Sequence, residues 1–222
     1  ISVNIVSGCT DSLANNFNPI ANLDDGSCIY SGCTDPLALD FNPQASIEDS
    51  SCTYPPNLSL QGILDLDVPS GGSDGKAIHL VALDSISDLS IYAIGVANNG
   101  GGSDGIEYIF PSISLLPGDD LLLLRDTLAM QSYFDVCYIE FDLVLIGNGS
   151  ISQNGDDAIE LFMDSVLVET FGDINVDGSG EPWDYMDSWA YKDTSGLVTF
   201  SGGNWIFGGV NCSDNSTTTF SS

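Results

Sequence analysis

The densest group of side chains able to bind a ligand lies between positions 173 and 184. Acidic or amide side chains stand at Asp173, Asn175 and Asp177, Gly178 follows, and an acid ends the segment. Oxygen donors in this spacing converge on a cation when the chain wraps around it, and the glycine permits the sharp turn. The segment predicts a calcium loop, and an acidic hairpin turn is the alternative. The predicted ligands are Asp173, Asn175, Asp177, Ser179, Glu181 and Asp184.

Oxygen donors also crowd the first 55 residues, which contain seven Asp or Glu and neither Lys nor Arg. Carboxylates and amides on small loops repel one another unless a cation lies among them, and calcium accepts such mixed oxygen ligands. Asn and Asp also favour turns for purely local reasons. Calcium ligands and ordinary turn residues are therefore two interpretations of the same positions. These positions are Asp11, Asn16, Asn18, Asp24, Asp25, Asp35, Asp40, Asn42, Glu48 and Asp49.

Those donors belong to a repeated unit, GCTDSLANNFNPIANLDDGSCIYS at 8–31 and GCTDPLALDFNPQASIEDSSCTYP at 32–55. Each copy has one cysteine at its second position and one near its end, so the simplest pairing gives one disulfide per repeat. The predicted disulfides are Cys9 with Cys28 and Cys33 with Cys52. Zinc is the competing interpretation, but structural zinc sites place ligand cysteines only a few residues apart. Disulfides imply an oxidising, extracytoplasmic compartment.

The pattern GCTDxxAxxFNPxAxxDDGSCxY, which both copies follow closely, resembles a short repeat of large secreted proteins. In those proteins the repeat is a spacer between surface domains. The resemblance covers about a quarter of the chain. It implies a position in a secreted protein and no particular chemistry.

The charge balance excludes several partners. The chain has 32 acidic residues against Lys76, Arg125 and Lys192, which gives a net charge of −29. No basic patch can form, so we expect no binding to nucleic acid or to anionic membranes. The longest apolar runs, 121–124 and 143–146, are too short to cross a bilayer, and no membrane insertion is expected. Repulsion among so many like charges predicts screening by salt or by bound divalent cations.

After residues 54–57 the pattern changes to short apolar runs separated by Gly, Asn and Asp. These runs predict strands, whose number and spacing are typical of an all-β sandwich. The predicted strands are 58–66, 77–83, 89–96, 106–110, 120–125, 141–146, 158–162, 165–171, 188–192, 197–200 and 205–207. One helix is predicted at 126–134, with Asp126 as its N-cap.

Three segments of this region resemble a known family. They are KAIHLVAL at 76–83, YIFPSISLLPGDDLLLL at 108–124 and NGDDAIELFMDSVLVETFGDINVDGSG at 154–180. Together they resemble the lamin-tail-like domain of secreted bacterial proteins, which is an immunoglobulin-like sandwich. Such domains accompany nucleases, phosphatases and adhesins as non-catalytic modules, so the resemblance implies placement or binding more than chemistry.

Several further features carry smaller predictions. Cys137 and Cys212 remain after the repeat cysteines are paired, and a third disulfide between them is the economical interpretation, with two buried thiols as the alternative. The segment GGSDG occurs at 71–75 and 101–105, each time before a strand. Both copies are predicted as connections in which Asp74 and Asp104 are candidates to contact a cation. Sequons that permit glycosylation in a eukaryotic host stand at Asn57, Asn148, Asn211 and Asn215.

Catalysis finds little support. The only histidine, His79, lies within an apolar strand without a nucleophile motif around it.

Trp183, Trp189 and Trp205 are core residues or, as the alternative, a surface on which a sugar stacks. The apolar residues 1–6 have no evident partner in the repeat unit, so they are predicted to pair with the sheet edge of a neighbouring copy or to form an ordinary terminus.

The sequence thus predicts a mainly β chain, in which an immunoglobulin-like β-sandwich follows two small disulfide-closed, calcium-loop-like repeats. The expected parts are an N-terminal strand or linker at 1–7, repeats at 8–31 and 32–55, and the sandwich at 56–222. Because the chain starts at Ile1 without a signal segment, we expect a piece of a longer secreted precursor.

The expected function is that of a non-catalytic, extracellular, calcium-binding structural module of a secreted surface or filament-forming protein. It would act in assembly or adhesion, with neighbouring copies, other extracellular proteins or polysaccharide as partners. The alternative is an accessory polysaccharide- or partner-binding domain of a secreted hydrolase or nuclease.

Overall fold

The computed structural model describes residues 4–36, 38–53, 55–68, 72–193 and 200–216. The chain divides into two compact units, Ile1–Pro55 and Pro56–Ser222. Parts of three predicted features lie outside the described residues. These are residues 1–3 of the N-terminal strand, Gly71 of the first GGSDG segment, and residues 197–199 of a predicted strand.

The first unit contains two equivalent repeats with little buried apolar surface. The buried apolar residues of the first copy are Cys9 and Ala14, whereas Leu13 is 84% exposed. The predicted disulfides Cys9–Cys28 and Cys33–Cys52 are both present. Since units this small rarely form an adequate hydrophobic core, the disulfides supply the stability that packing does not.

The segment that precedes the first repeat binds to a loop of that repeat. The carbonyl of Val6 accepts hydrogen bonds from the amides of Asn22 and Leu23 at 2.9 and 3.2 Å. The Asn22 side chain binds the Val6 amide and the Asn4 carbonyl in return. The prediction that this segment lacks a partner in the repeat unit is therefore wrong for residues 4–6, because Asn22 and Leu23 bind its backbone at Asn4 and Val6.

Equivalent contacts join the second repeat to the first. The carbonyl of Tyr30 accepts hydrogen bonds from the amides of Ser46 and Ile47 at 2.9 and 3.1 Å. Within the first repeat, Asn15 holds the last residue, with its Nδ2 donating to Ser31 Oγ at 2.9 Å and its Oδ1 accepting from the Ser31 amide at 3.1 Å. The exit of the first repeat is thus the entry of the second, and these hydrogen bonds fix the joint between them.

The described part of the second unit contains two β-sheets and one α-helix. The strands are β1 Leu58–Leu66, β2 Gly75–Ala82, β3 Tyr92–Ala97, β4 Tyr108–Ile109, β5 Asp120–Leu124, β6 Leu143–Ile146, β7 Ala158–Met163, β8 Val166–Phe171, β9 Ser188–Lys192 and β10 Trp205–Phe207. Their order is β10-β9-β1-β2-β5-β6 in one sheet and β4-β3-β7-β8 in the other. The β5–β6 pair is parallel, and the other pairs are antiparallel.

The main core lies between the two sheets. Leu60 and Ile78 from the six-stranded sheet share one buried cluster with Ile94, Ile159 and Phe171 from the four-stranded sheet. Alternate residues along each strand contribute to it, as expected where one face of a strand is buried. The predicted mainly β architecture is confirmed, and the two sheets are consistent with the predicted β-sandwich.

The helix α1, Thr127–Phe134, packs against the outer face of the six-stranded sheet. Asp126 is its N-cap, as predicted, and its Oδ1 accepts the Ala129 amide at 2.8 Å. The helix explains the leucine run of β5, in which Leu121 and Leu123 enter the main core while Leu122 and Leu124 pack under the helix. Among the described residues, no helix combines the length and the apolar character needed to cross a bilayer.

Cys137 and Cys212 are free thiols, so the predicted third disulfide is wrong. Cys137 lies in a 3₁₀ turn after α1 and packs against the cluster beneath that helix. The Cys212 sulfur lies 3.1 Å from Ser188 Oγ, at the start of β9. Counting the remaining cysteines suggested a pair, but a disulfide also requires backbone positions within about 7 Å of one another and suitably directed side chains.

Candidate functional site

Three loops of the second unit meet and together carry eight acidic side chains. We call residues 98–107, 154–157 and 173–184 the acidic loop cluster. The Gly102 amide donates to the Ile174 carbonyl at 2.8 Å, and the Gly178 amide donates to the Asp156 carbonyl at 2.9 Å. The Asn99 amide donates to Asp157 Oδ1 at 2.8 Å. Each loop is therefore held directly by another.

The predicted calcium loop is one of these three segments, and its acids bind amides of the loop itself. Asp173 Oδ1 accepts from the Asn175 amide at 2.9 Å, and Asp177 Oδ1 accepts from the Ser179 amide at 3.0 Å. Asp184 Oδ2 accepts from the Gly180 amide at 2.8 Å. The other predicted ligands of this loop are exposed at its surface: Asn175, Ser179 and Glu181.

Gly178 is required by close packing. A Cβ at this position would lie 2.7 Å from the Asp156 carbonyl oxygen and 2.7 Å from the Trp183 ring. The glycine therefore lets the predicted loop approach the 154–157 loop. The close approach brings Asp177 and Asp184 near Asp156, whose pKa is raised first by burial and further by these charges.

Asp156 and Asp157 are acids that the sequence reasoning missed. They are 7% and 1% exposed. Burial raises the pKa of both carboxyl groups, and the neighbouring charge of Asp157 raises that of Asp156 further. The side-chain amide of Asn154, oriented with its nitrogen toward the carboxylates, donates to Asp157 Oδ2 at 2.5 Å and to Asp156 Oδ1 at 2.6 Å. The available signal was the NGDD segment directly before an apolar strand.

Glu160 and Glu107 add two acids that the sequence reasoning also missed. Glu160 lies in β7, is fully buried, and its Oε2 accepts a hydrogen bond from Ser103 Oγ at 2.8 Å. Glu107 Oε2 accepts from the Val96 amide at 3.0 Å. Burial and then the charge of Asp104 raise the pKa of both glutamates. Carboxylates from distant parts of the chain thus face one another in this region.

The two lysines of the described chain are bound elsewhere, and Arg125 forms no ion pair among the described residues. Lys76 donates to Asp65 Oδ1 at 2.5 Å and to the Gln153 carbonyl. The other ion pair of the described residues is Lys192 with Glu169, and His79, which is charged only when protonated, contacts Asp120. Lys76 is close enough to lower the pKa of Asp157, but none of these pairs neutralises an acid of the acidic loop cluster directly.

In the repeats, the predicted ligands accept hydrogen bonds from backbone amides of their own copy. This arrangement holds for Asp11, Asn16, Asn18, Asp24, Asp25, Asp40, Asn42, Glu48 and Asp49. Asp35 stands two residues after Cys33, whose sulfur lies 3.7 Å from the Asp35 carbonyl oxygen. The hydrogen bonds lower the pKa values of Asp11, Asp25, Asp40 and Glu48. This geometry matches the turn interpretation of these residues.

One group of three metal-ligating side chains occurs among the described residues. It consists of Cys33, Glu48 and Cys52, whose ligand atoms lie within 4.8 Å of one another. Both sulfurs belong to a disulfide, and a metal binds the thiolate form of cysteine. The cluster is therefore a disulfide beside a carboxylate. The zinc interpretation of the repeat cysteines does not fit this structure.

His79 has a packing role. Its Nε2 lies 2.8 Å from Asp120 Oδ1, and its ring packs edge-on against Phe141 with centroids 5.1 Å apart. Burial lowers the pKa of His79, although Asp120 opposes the shift. The ring is therefore neutral at neutral pH and is held between aromatic neighbours.

The tryptophans considered for sugar stacking are largely core residues. Trp183 and Trp205 are each 6% exposed and pack around Phe171. Trp189 is partly buried and packs edge-on against Tyr191. Neither Trp183 nor Trp205 therefore presents a free ring face to a ligand.

An open groove of about 490 Å³ runs beside β8. Its lining acids are Glu169, which is paired with Lys192, and Asp173 at the start of the predicted calcium loop.

The sequons lie at the surface of the same unit, with Asn148, Asn211 and Asn215 exposed and Asn57 partly buried.

The acidic loop cluster offers carboxylate, amide and carbonyl oxygens and is suited to binding a hard cation. Comparison of the chain with protein-family models, with curated proteins and with solved structures finds no match.

Proposed function

We propose that this chain is a non-catalytic structural module of a secreted surface or filament-forming protein, that it binds calcium, and that it acts in assembly or adhesion. One observation carries the calcium assignment. Asp156 and Asp157 are adjacent buried acids, Asp177 and Asp184 lie near Asp156, and the ion pairs of the described residues involve other carboxylates.

Buried carboxylates need a compensating partner because removal from water disfavours their charged form. A protein can supply a basic side chain, protonate the acid or bind a metal ion. The charge of Lys76 acts on Asp157, but the Lys76 ammonium group already binds Asp65 and Gln153. Calcium accepts about six to eight oxygen ligands from carboxylates, amides and carbonyls, which are the groups that these loops provide.

The disulfides support an extracellular location, since such bonds persist in oxidising compartments. The joint between the repeats supports a spacer role, because the exit of one repeat is held by the loop of the next. Neighbouring copies or other extracellular proteins are the proposed partners. We further propose that the sandwich is an immunoglobulin-like domain of the lamin-tail type, since the segments with that resemblance form β2, β4, β5, β7 and β8.

The thermal unfolding midpoint, measured in excess calcium and in chelator, tests this proposal. Calcium at about a hundredfold excess over its dissociation constant stabilises the folded state by about 2.7 kcal/mol. For a domain of this size, that energy corresponds to a rise of roughly 5–10 °C. The double variant Asp156→Asn/Asp157→Asn is expected to lose most of this rise. Particle size recorded in the same samples reports whether assembly depends on calcium.

The matched control is Asp135→Asn/Asp214→Asn, which removes the same charge from two exposed positions. It is expected to keep the calcium-dependent rise of the wild type. A wild-type midpoint that is equal in calcium and in chelator would refute calcium binding. A particle size that stays monomeric under all conditions would count against assembly through this chain alone.

A further inference from the structure

Glu160 is a fully buried acid in the middle of β7. Its neighbours Ile159 and Leu161 belong to the core between the sheets, so Glu160 lies on the outer face of the four-stranded sheet. One carboxylate oxygen, Oε2, accepts the hydrogen bond from Ser103. The other, Oε1, is buried and has no hydrogen-bond partner among the described residues. Such an orphaned acceptor requires an explanation, because burial without a partner is costly.

The second GGSDG segment, residues 101–105, covers this carboxylate. Gly95 in β3 lies opposite Glu160 in the sheet register. A Cβ on Gly95 would lie 2.4 Å from the Gly105 carbonyl oxygen and 3.4 Å from Glu160 Oε2. The missing side chain at Gly95 therefore leaves space in which a main-chain carbonyl and a carboxylate come close together.

Two further acids border the same space. Glu107 is held over β3 by the hydrogen bond from the Val96 amide. Asp104 is exposed in the covering loop between Ser103, which binds Glu160, and Gly105, and its charge acts on both Glu107 and Glu160. The ion pairs of the described residues do not include these three acids.

We propose that Glu160, Glu107 and Asp104 form a binding site for a divalent cation of the calcium class beneath the 101–105 loop. The buried Oε1 of Glu160 is one ligand, and the Gly105 carbonyl is a further candidate. The donors are all oxygen atoms, which suits calcium and disfavours zinc. The ion ties the loop to the sheet and neutralises the buried charge.

Glu160 and the Asp156–Asp157 pair have different hydrogen-bond partners, although the charge of Asp157 also acts on Glu107. Asp157 binds Asn99 and Asn154, whereas Glu160 binds Ser103 on the outer face of the sheet. The inference deepens the proposed function, because it names a second place at which the same ion binds. Its test must therefore separate the two sites.

Calcium titration calorimetry at neutral pH on the full chain provides that test. The wild type is expected to bind one more calcium ion per chain than Glu160→Gln does. Glutamine keeps the size of the side chain and removes its charge, so the variant is expected to fold. Its unfolding midpoint, measured in chelator, checks that it does. The matched control is Glu140→Gln, since Glu140 is exposed in the turn after α1 and should leave the stoichiometry unchanged.

Asp104→Asn is a second variant that leaves the core intact because Asp104 is exposed. Removing one ligand charge is expected to weaken calcium binding at this site roughly tenfold without changing the fold. Equal stoichiometry for the wild type and Glu160→Gln would overturn this site alone if Asp156→Asn/Asp157→Asn still loses an ion. A wild type that binds no calcium at all would overturn both this site and the calcium binding in the proposed function.

Discussion

The buried pair of Glu169 and Lys192 connects the two sheets through the core. Glu169 lies in β8 of the four-stranded sheet and Lys192 in β9 of the six-stranded sheet, and they are 3% and 5% exposed. Glu169 also accepts hydrogen bonds from the Leu60 amide at 2.9 Å and from Ser59 Oγ at 3.3 Å. Such a pair adds little net stability over apolar packing, but removing one partner leaves a buried charge.

Lys192→Met is therefore expected to lower the free energy of unfolding by about 3–5 kcal/mol at pH 7. Burial raises the pKa of Glu169 above its unfolded value, and loss of the lysine raises it further. Because the pKa of Glu169 is higher in the folded state, its protonation stabilises the folded state at low pH. This stabilisation is lost as pH rises through the folded-state pKa. The loss caused by Lys192→Met should therefore be smaller at pH 5 than at pH 7 in urea unfolding.

Arg125→Met is the control, because Arg125 has no ion pair among the described residues. It removes the same charge and is expected to change stability by much less. The double variant Glu169→Gln/Lys192→Met should recover most of the loss. If Lys192→Met were equally destabilising at both pH values, an uncompensated Glu169 charge would not be the cause.

At the scale of elements, an irregularity in β1 decides which side chains face each core. The register shifts between Leu60 and Gly62, so Leu60 and Ile63 face the other sheet while Leu64 faces α1. A Cβ on Gly62 would lie 2.6 Å from the Tyr191 ring. Gly62→Ala is therefore expected to lower the free energy of unfolding by about 1–3 kcal/mol through overpacking.

Gly149→Ala is the matched control for this substitution in urea unfolding. A Cβ on Gly149 would meet no atom within 4 Å, so the extra methyl group should have little effect. Equal effects of the two substitutions would show that contact with Tyr191 does not limit the residue at position 62.

Local signals predicted the elements well, and contacts between distant segments explain what they missed. The bounds of β1, β9 and β10 match the prediction, and the Asp126 cap located the helix. Alternation and capping lie within a few neighbouring residues, which makes them readable from sequence. The parallel β5–β6 pair and the β1 irregularity depend on partners far along the chain, so no local pattern reports them.

The same distinction applies to the acidic loop cluster. The 173–184 loop was found because its acids follow one short spacing. Asp157 and Glu160 were missed because their neighbours, Asn99 and Ser103, lie more than 50 positions away in the chain. The disulfide predicted between Cys137 and Cys212 was wrong for a related reason. The number of cysteines in a sequence does not show how far apart they lie in the fold.

At the scale of the whole molecule, the two units are stabilised in different ways. Ile1–Pro55 contains both disulfides and little core, whereas Pro56–Ser222 contains both hydrophobic clusters and the free thiols. Each disulfide closes a loop whose constraint is worth about 3 kcal/mol in the chain-entropy model. A reductant is therefore expected to abolish the unfolding transition of the first unit and to leave the midpoint of the second unit unchanged.

Differential scanning calorimetry with and without a phosphine reductant measures this difference. Thiol titration of the denatured chain should give two thiols before reduction and six afterwards, because two cysteines are free and four are paired. The variant Cys137→Ser/Cys212→Ser removes the free thiols and should respond to reductant as the wild type does. If the reductant lowered the midpoint of the second unit both in the wild type and in this variant, the repeats would stabilise the sandwich. The two units would then not be independent in stability.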